Sequence, residues 1–134
     1  MKKIPKIMIA DDMQMMRRLL KSTLIKAGFI DISEAINGED LLQQLEDSAF
    51  DLIICDWDMP RMSGIDALHR IRKSDEHKDT PFVMVTAVAD AGQVRQAIEA
   101  GISDYIIKPI KPEQFLEKIK SVLLKLELPI PATS

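Results

Sequence analysis

Short apolar runs alternate along the chain with longer segments in which apolar residues recur every three or four positions. A short continuous apolar run is typical of a buried strand, whereas three-to-four spacing is typical of an amphipathic helix. The pattern therefore predicts five strands, at residues 6–10, 30–35, 50–55, 81–86 and 105–107. A helix is predicted after each of them.

Glycine marks the ends of two predicted helices. Helix 1 covers residues 13–27 and stops at Gly28, and helix 4 stops at Gly101, because glycine readily adopts the left-handed conformation that ends helices. Asn37-Gly38 is interpreted as a turn before helix 2. Helices 2 to 5 are marked by apolar residues at helical spacing, namely Leu41, Leu42, Leu45, Ile65, Leu68, Ile71, Val94, Ala97, Ile98, Phe115, Ile119, Val122, Leu123 and Leu126.

This alternation predicts an α/β fold. Continuous apolar strands that alternate with helices indicate a parallel sheet covered on both faces. Right-handed connections between the strands then give a doubly wound sheet. Ligands of such sheets bind at the carboxyl ends of the strands. The residues that follow each strand are therefore the candidates for chemistry.

Charged or hydroxyl side chains stand at the ends of four of the five strands: Asp11, Asp12, Asp56, Asp58, Thr86 and Lys108. Clustered carboxylates repel one another, which raises their pKa values unless positive charge is supplied. Lys108 supplies one such charge, and an oxygen-only ligand set without His or Cys suits Mg²⁺. Asp56 could then attack a phosphoryl group and form an aspartyl phosphate.

Length, charge and cysteine content limit the number of domains and the kinds of partner that the protein can be expected to have. The 134 residues are enough for one domain, predicted at 1–128, with 129–134 as a C-terminal tail or the start of a linker. A net charge of −3 gives no indication of direct nucleic-acid binding or of a membrane anchor, and no apolar run is long enough to span a bilayer. The single cysteine, Cys55, suits a reducing cytoplasm and is interpreted as a small buried residue.

The sequence resembles the response-regulator receiver domain of two-component signalling over about residues 5–127. The resemblance is carried by the Asp11-Asp12 pair, by DWDMPRMSG at 56–64, by VTA at 85–87 and by YIIKP at 105–109. Among receivers it looks most like the single-domain chemotaxis type. The resemblance implies a flavodoxin- or CheY-like sheet of five parallel strands in the order 2-1-3-4-5, with five helices.

The resemblance also implies a role for each site residue. Asp56 is expected to be the phospho-acceptor and, with Asp12, a direct Mg²⁺ ligand. Asp11 is expected to help directly or through water, and Asp58 through its backbone carbonyl. Thr86 and Lys108 are expected to contact the phosphoryl group.

Conformational change is implied as well. Thr86 and Tyr105 are expected to form a switch pair, in which Tyr105 turns inward when Thr86 is drawn toward the phosphoryl group. The Lys108–Pro109 peptide bond is expected to be cis. Asp58 and Val88 stand where the chemotaxis example has Asn and Glu, beside the path of the attacking water, and they bear on the dephosphorylation rate.

The implied function is a signalling switch. A histidine kinase is expected to donate the phosphoryl group, and an unidentified target or output domain is expected to bind the face formed by helix 4, strand 5 and helix 5. The protein would not be a conventional metabolic enzyme, although it would catalyse its own phosphorylation and dephosphorylation at Asp56.

Two other functions remain open at this point. Asp56-Trp57-Asp58 matches the D-x-D core of haloacid-dehalogenase-type enzymes, which suggests a small Mg²⁺-dependent phosphohydrolase. A phosphorylation-independent interaction module is the third possibility.

Three of the candidate site residues also have a purely structural interpretation. Asp12 could be a helix N-cap, Asp58 a turn residue and Thr86 a simple strand-end residue. His69 and His77 are interpreted as surface residues. Arg17 and Arg18 are interpreted as a solvated face and as candidates for the surface that meets a kinase.

Overall fold

Five parallel strands form a single sheet in the order β2-β1-β3-β4-β5. The computed structural model describes residues 4–87, 90–128 and 130–131. In chain order the elements are β1 (Lys6–Ala10), α1 (Gln14–Lys26), β2 (Asp31–Ala35), α2 (Gly38–Asp47), β3 (Leu52–Asp56), α3 (Gly64–Lys73), β4 (Phe82–Thr86), α4 (Ala91–Ala100), β5 (Asp104–Ile107) and α5 (Pro112–Lys125). The predicted fold class and strand order are confirmed.

The sheet separates two hydrophobic clusters because successive strand side chains point to opposite faces. On one face, Ile53 and Cys55 of β3 pack with buried residues of α2, α3 and α4. On the other face, Leu52 and Ile54 pack with buried residues of α1 and α5. Both faces of the sheet are therefore covered, which explains why its strands read as continuous apolar runs.

Several element boundaries differ from the sequence prediction by one or two residues. Asn37 is the N-cap of α2, where its side chain accepts a hydrogen bond from the Asp40 amide, and is not only a turn residue. Asp56 is the last residue of β3 and does not follow it. Gly101 ends α4 in the left-handed conformation with φ of 95°, as a helix-ending glycine does.

Burial differs sharply between the centre and the edge of the sheet. All five residues of β3 are buried, whereas Ile106 is the one buried residue of the edge strand β5.

Val88, singled out above, lies outside the described residues, as do 129 and 132–134 of the expected tail. The domain boundary at 128 stays a prediction. No helix in the described part of the chain has the length and apolar character to cross a membrane.

Candidate functional site

Parallel register brings the ends of four strands to one edge of the sheet. Ala10 pairs with Cys55, Asp56 with Val85, and Thr86 with Ile107. The residues at or just after these positions therefore lie side by side. They are the predicted site residues Asp11, Asp12, Asp56, Thr86 and Lys108.

Lys108 bridges two of the carboxylates. Its Nζ lies 3.2 Å from Asp56 Oδ1 and 3.8 Å from Asp11 Oδ2. Asp56 is 5% exposed and Asp11 is 1% exposed, whereas Asp12 is open to solvent. One ammonium group thus faces two buried carboxylates, with a third carboxylate at the entrance.

The electrostatics of the cluster favour additional positive charge. Burial raises the pKa of Asp56 to about 6, and the charge of Asp11 acts in the same direction, while Lys108 lowers it. Burial likewise raises the pKa of Asp11, against the lowering effects of the Met13 amide and of Lys108. Both shifts mean that the protein alone does not fully compensate the two negative charges.

The donor chemistry fits a hard divalent cation. Asp11, Asp12 and Asp56 each offer an oxygen, and these atoms lie within 4.8 Å of one another. Carboxylate oxygens are the ligands that Mg²⁺ takes in proteins, usually one or two together with water. The Asp58 side chain is exposed and is not one of these three oxygen donors, and the resemblance implies a contribution from its backbone carbonyl instead.

Close backbone contacts fix the loop between β3 and α3. The Trp57 amide donates to the Val85 carbonyl at 2.8 Å, and the Gly64 amide donates to the Trp57 carbonyl at 2.8 Å. A Cβ atom at Gly64 would collide with the Asp56 carbonyl and would approach Met84 Sδ to 2.9 Å. Glycine is therefore required at 64 because the start of α3 rests on the backbone of the candidate nucleophile.

Side-chain contacts hold the loop between β1 and α1. The Met13 amide donates to Asp11 Oδ1 at 2.9 Å, and the Asp11 amide donates to the Ala35 carbonyl at 3.1 Å. The N-cap position of α1 is Met13, which makes no side-chain capping bond. Asp12 is therefore not the N-cap of this helix, and its carboxylate is open to the site entrance.

Thr86 and Tyr105 face the same side of the sheet. Tyr105 pairs with Met84 in register, and Thr86 pairs with Ile107, so the two residues are diagonal neighbours on adjacent strands. Thr86 is buried and Tyr105 is half-buried. The Lys108–Pro109 peptide bond is cis, the isomer that the resemblance implied.

Of the residues interpreted as surface groups, His77 is buried and Arg17 is largely covered. The Arg17 side chain is 12% exposed and pairs with Glu34, whereas Arg18 is exposed. His77 is 8% exposed, and its Nε2 lies 2.7 Å from the Leu45 carbonyl oxygen, whereas His69 is exposed. The surface interpretation of His77 was wrong, because its Nε2 finds a partner inside the fold, and that of Arg17 holds only in part, because contacts with Glu34 and the Asp11 carbonyl cover most of its side chain.

Cys55, next to Asp56, is fully buried. Burial raises the pKa of its thiol well above its ordinary value, and the charges of Asp56 and Asp11 add to that effect. The thiol is therefore a protonated packing group, which confirms the interpretation of Cys55 as a small buried residue.

Comparison with known proteins decides the family. The response regulator receiver domain model matches residues 7–120. The chain belongs to this family. The sequence prediction of a receiver domain is confirmed, and the match does not favour the phosphohydrolase alternative.

Relatives and solved structures agree with this assignment. The chain is 39% identical over 117 residues to the chemotaxis protein CheY of Pseudomonas aeruginosa, covering 87% of this chain and 94% of that one. It is 40% identical over 121 residues to the chemotaxis protein CheY-3 of Vibrio cholerae, covering 90% and 93%.

The fold is likewise similar to solved receivers. The chemotaxis response regulator CheY4 of Vibrio cholerae superposes with a TM-score of 0.85 at 28% identity, over 90% of this chain and 100% of that one. A CheY-like response regulator receiver domain protein of Methanospirillum hungatei also gives 0.85, at 29% identity, over 93% and 98%.

Proposed function

We propose that this receiver is a phosphorylation-driven signalling switch of chemotaxis, with Asp56 as the phospho-acceptor and a histidine kinase as the donor. The observation that carries the proposal is the Asp56 carboxylate at the end of the central strand, 3.2 Å from Lys108 Nζ and grouped with Asp11 and Asp12. The chemotaxis role is supported by the names of the relatives above. The single cysteine suits a cytoplasmic location.

In the proposed reaction, an Asp56 carboxylate oxygen attacks the phosphorus of a phosphohistidine. An O–P bond forms and the N–P bond breaks, and its electron pair stays with the imidazole nitrogen that leaves. Positioning and charge neutralisation supply most of the catalysis in phosphoryl transfer. Lys108 and the Thr86 hydroxyl are placed at the same sheet edge to neutralise and orient the phosphoryl oxygens.

Asp12 and Asp56 would hold Mg²⁺, with help from Asp11 directly or through water and from the Asp58 carbonyl. The cation supplies positive charge where the transferred phosphoryl oxygens accumulate negative charge. The chain's own part is to hold the carboxylates close together, with Lys108 lowering the pKa of Asp56 against the effect of burial. Hydrolysis of the aspartyl phosphate then resets the switch, and Asp58 and Val88 bear on its rate.

The response to phosphorylation would pass from Thr86 to Tyr105. A Thr86 hydroxyl drawn toward the phosphoryl group leaves space on the face of the sheet that Tyr105 shares. The surface that changes is formed by α4, β5 and α5, and an unidentified target protein or output domain would bind there.

Chemical modification tests the assignment of Asp56. The protein is incubated with acetyl phosphate and Mg²⁺, the acyl phosphate is trapped by reduction, and the modified residue is mapped by mass spectrometry. We expect a single modified residue, Asp56, and loss of the label in Asp56→Asn. Asp66→Asn, which changes an exposed carboxylate of α3, should be labelled like the wild type.

Two outcomes would contradict the proposal. Label that persists in Asp56→Asn places the acceptor elsewhere. Many turnovers on a small phosphate ester would instead support the phosphohydrolase.

A further inference from the structure

Arg17 contacts the backbone of the acidic pair from inside the fold. Its Nη1 donates to the Asp11 carbonyl oxygen at 2.8 Å, and its Nε donates to Glu34 Oε1 at 3.0 Å. The neighbouring Arg18 points to solvent. Two adjacent residues of the same charge on α1 therefore have different surroundings.

The carbonyl that accepts the hydrogen bond from Arg17 belongs to the peptide unit that joins Asp11 to Asp12. Because a peptide unit is planar, fixing its carbonyl also fixes the direction in which Asp12 leaves the strand. The Asp11 amide and carboxylate are already engaged by Ala35 and Met13. With Arg17, each polar group of Asp11 has a defined partner.

Glu34 anchors the guanidinium to the sheet. Glu34 lies on β2, beside Ile9 of β1 in register, and its carboxylate also accepts from Lys21 Nζ at 3.4 Å. The planar guanidinium presents its donors in a fixed fork, so one side chain can span a carboxylate and a carbonyl. Lysine has a single ammonium group and cannot reproduce this geometry.

The orientation of the Arg17 charge matters for a nearby cation site. A cation whose hydrogen bonds went to the carboxylates would compete with a divalent ion. Arg17 instead directs its hydrogen bonds to a backbone carbonyl and to Glu34, although its charge also helps to lower the pKa of Asp11. It can therefore organise the acidic pair without occupying the carboxylate oxygens.

We propose that Arg17 is a positioning residue for the Mg²⁺ site. By fixing the Asp11–Asp12 peptide unit, it holds the two carboxylates ready for the cation, so that less ordering is needed when the ion binds. This inference rests on the proposed function, because it takes the acidic cluster to be the Mg²⁺ site.

The test compares Mg²⁺ affinity in Arg17→Ala, Arg17→Lys and the matched control Arg18→Ala. Dissociation constants come from calorimetric titration and from the fluorescence of Trp57 at physiological ionic strength. Arg17→Ala should raise the dissociation constant about tenfold. Arg17→Lys should also raise it, by about threefold or more, although the charge is kept. Arg18→Ala removes the same charge and should stay within about twofold of wild type.

A second readout separates positioning from a purely structural role. At saturating Mg²⁺, acetyl phosphate should modify Arg17→Ala at nearly the wild-type rate, because the cation then orders the pair itself. A variant that is merely destabilised would show a lower melting temperature with unchanged affinity of its folded form. If Arg17→Ala does not fold, the Mg²⁺ affinities of Arg17→Lys and Glu34→Gln test the inference instead, since both substitutions should weaken Mg²⁺ binding.

Equal affinities of Arg17→Ala and Arg18→Ala, or tighter binding by Arg17→Ala, would overturn the inference. Neither result would affect the proposed function, provided that the wild type binds Mg²⁺. A wild type that neither binds Mg²⁺ nor needs it for modification of Asp56 would instead refute the proposed function.

Discussion

The central strand and the edge strand contribute to the same site in opposite ways. β3 is buried along its whole length and ends in Asp56, whereas β5 has one buried residue out of four and carries Tyr105 and, just beyond the strand, Lys108. Residues on a central strand are held from both sides, and residues on an edge strand have one open side. The candidate nucleophile is thus placed where movement is costly, and the candidate reporter where a partner protein can reach it.

The contacts around each strand sharpen this contrast. Asp56 is backed by Gly64, which leaves no space for even a methyl group. Tyr105 is contacted instead by a long side chain, since Lys118 Nζ lies over its ring at 5.2 Å from the centroid and also donates to its carbonyl at 2.8 Å. Contacts of this kind, made by a long side chain, would let the edge strand move in the proposed switch while the centre stays fixed.

The largest effect should come from filling the space behind Asp56. We expect Gly64→Ala to lower the free energy of unfolding by about 2 to 3 kcal/mol, because the new methyl group meets the Asp56 backbone and cannot be accommodated without displacement. Urea denaturation measures the loss. Gly92→Ala in α4 is the matched control, because its Cβ would meet only Asp90 Oδ1, at 3.3 Å. Equal stabilities of the two variants would show that the centre is not rigid.

The next largest effect should come from the charge of Asp56, at the end of the central strand, on the pH dependence of stability. The folded-state pKa of Asp56 is raised to about 6 from 3.8, so between these values the native state keeps a proton that the unfolded state has released. Stability must therefore fall as pH rises through this window. Without metal, Asp56→Asn should be more stable than wild type at neutral pH, by on the order of 1 to 3 kcal/mol. This advantage should shrink toward pH 4.

Thermal or urea unfolding at both pH values, in the presence of a chelator, provides the measurement. Asp58→Asn serves as the control, because Asp58 is exposed and its charge is the smallest of the stated contributions to the Asp56 pKa. An advantage of Asp56→Asn that is the same at both pH values would mean that the burial of charge is not its cause.

The smallest effect should come from Thr86→Ala. This variant tests whether Mg²⁺ binding at the carboxylates can be separated from the response of β5. The Mg²⁺ response of Trp57 fluorescence should stay within about twofold of wild type, since removal of one hydroxyl leaves the carboxylates in place. The amide shifts of β5 caused by beryllofluoride should fall to less than about half of the wild-type change, because a ligand shifts a two-state equilibrium only by its differential affinity.

Nuclear magnetic resonance spectra of β5 and α4 provide this readout, and Thr80→Ala, which lies outside the site, is the control. Shifts in Thr86→Ala as large as those in wild type would exclude this coupling route. A large loss of Mg²⁺ affinity in Thr86→Ala would instead show that Mg²⁺ binding and the response of β5 are not independent.

Local patterns in the sequence predicted the α/β fold class and the strand-end residues, whereas the strand order came from the family resemblance. Apolar runs of three to six residues indicate strands, and apolar residues at helical spacing with glycine stops indicate helices, without knowledge of their neighbours. The chemistry-bearing residues follow because parallel strands end at one edge. The roles of individual site residues stay predictions, because they depend on chemistry that geometry alone does not test.

What the sequence could not predict were partnerships between distant residues. Helical spacing places Arg17 three and seven residues before the buried Leu20 and Leu24, but only the position of Glu34, 17 residues away, gives Arg17 its carboxylate partner. His77 was misinterpreted for the same reason, since its partner carbonyl at Leu45 is 32 residues away. The role of Gly64 is also non-local, because it depends on how closely α3 approaches the end of β3.

The inert thiol at Cys55 has a practical consequence for spectroscopy. Because it is buried and its pKa is raised well above the ordinary value, it should resist maleimide and methanethiosulfonate reagents, which react with thiolates. A cysteine introduced on the exposed surface of α4 or β5 could then carry a spin label or a dye without removal of the native one. Distances across the proposed responding face could then be measured in a protein whose candidate nucleophile and its immediate neighbours are all wild type.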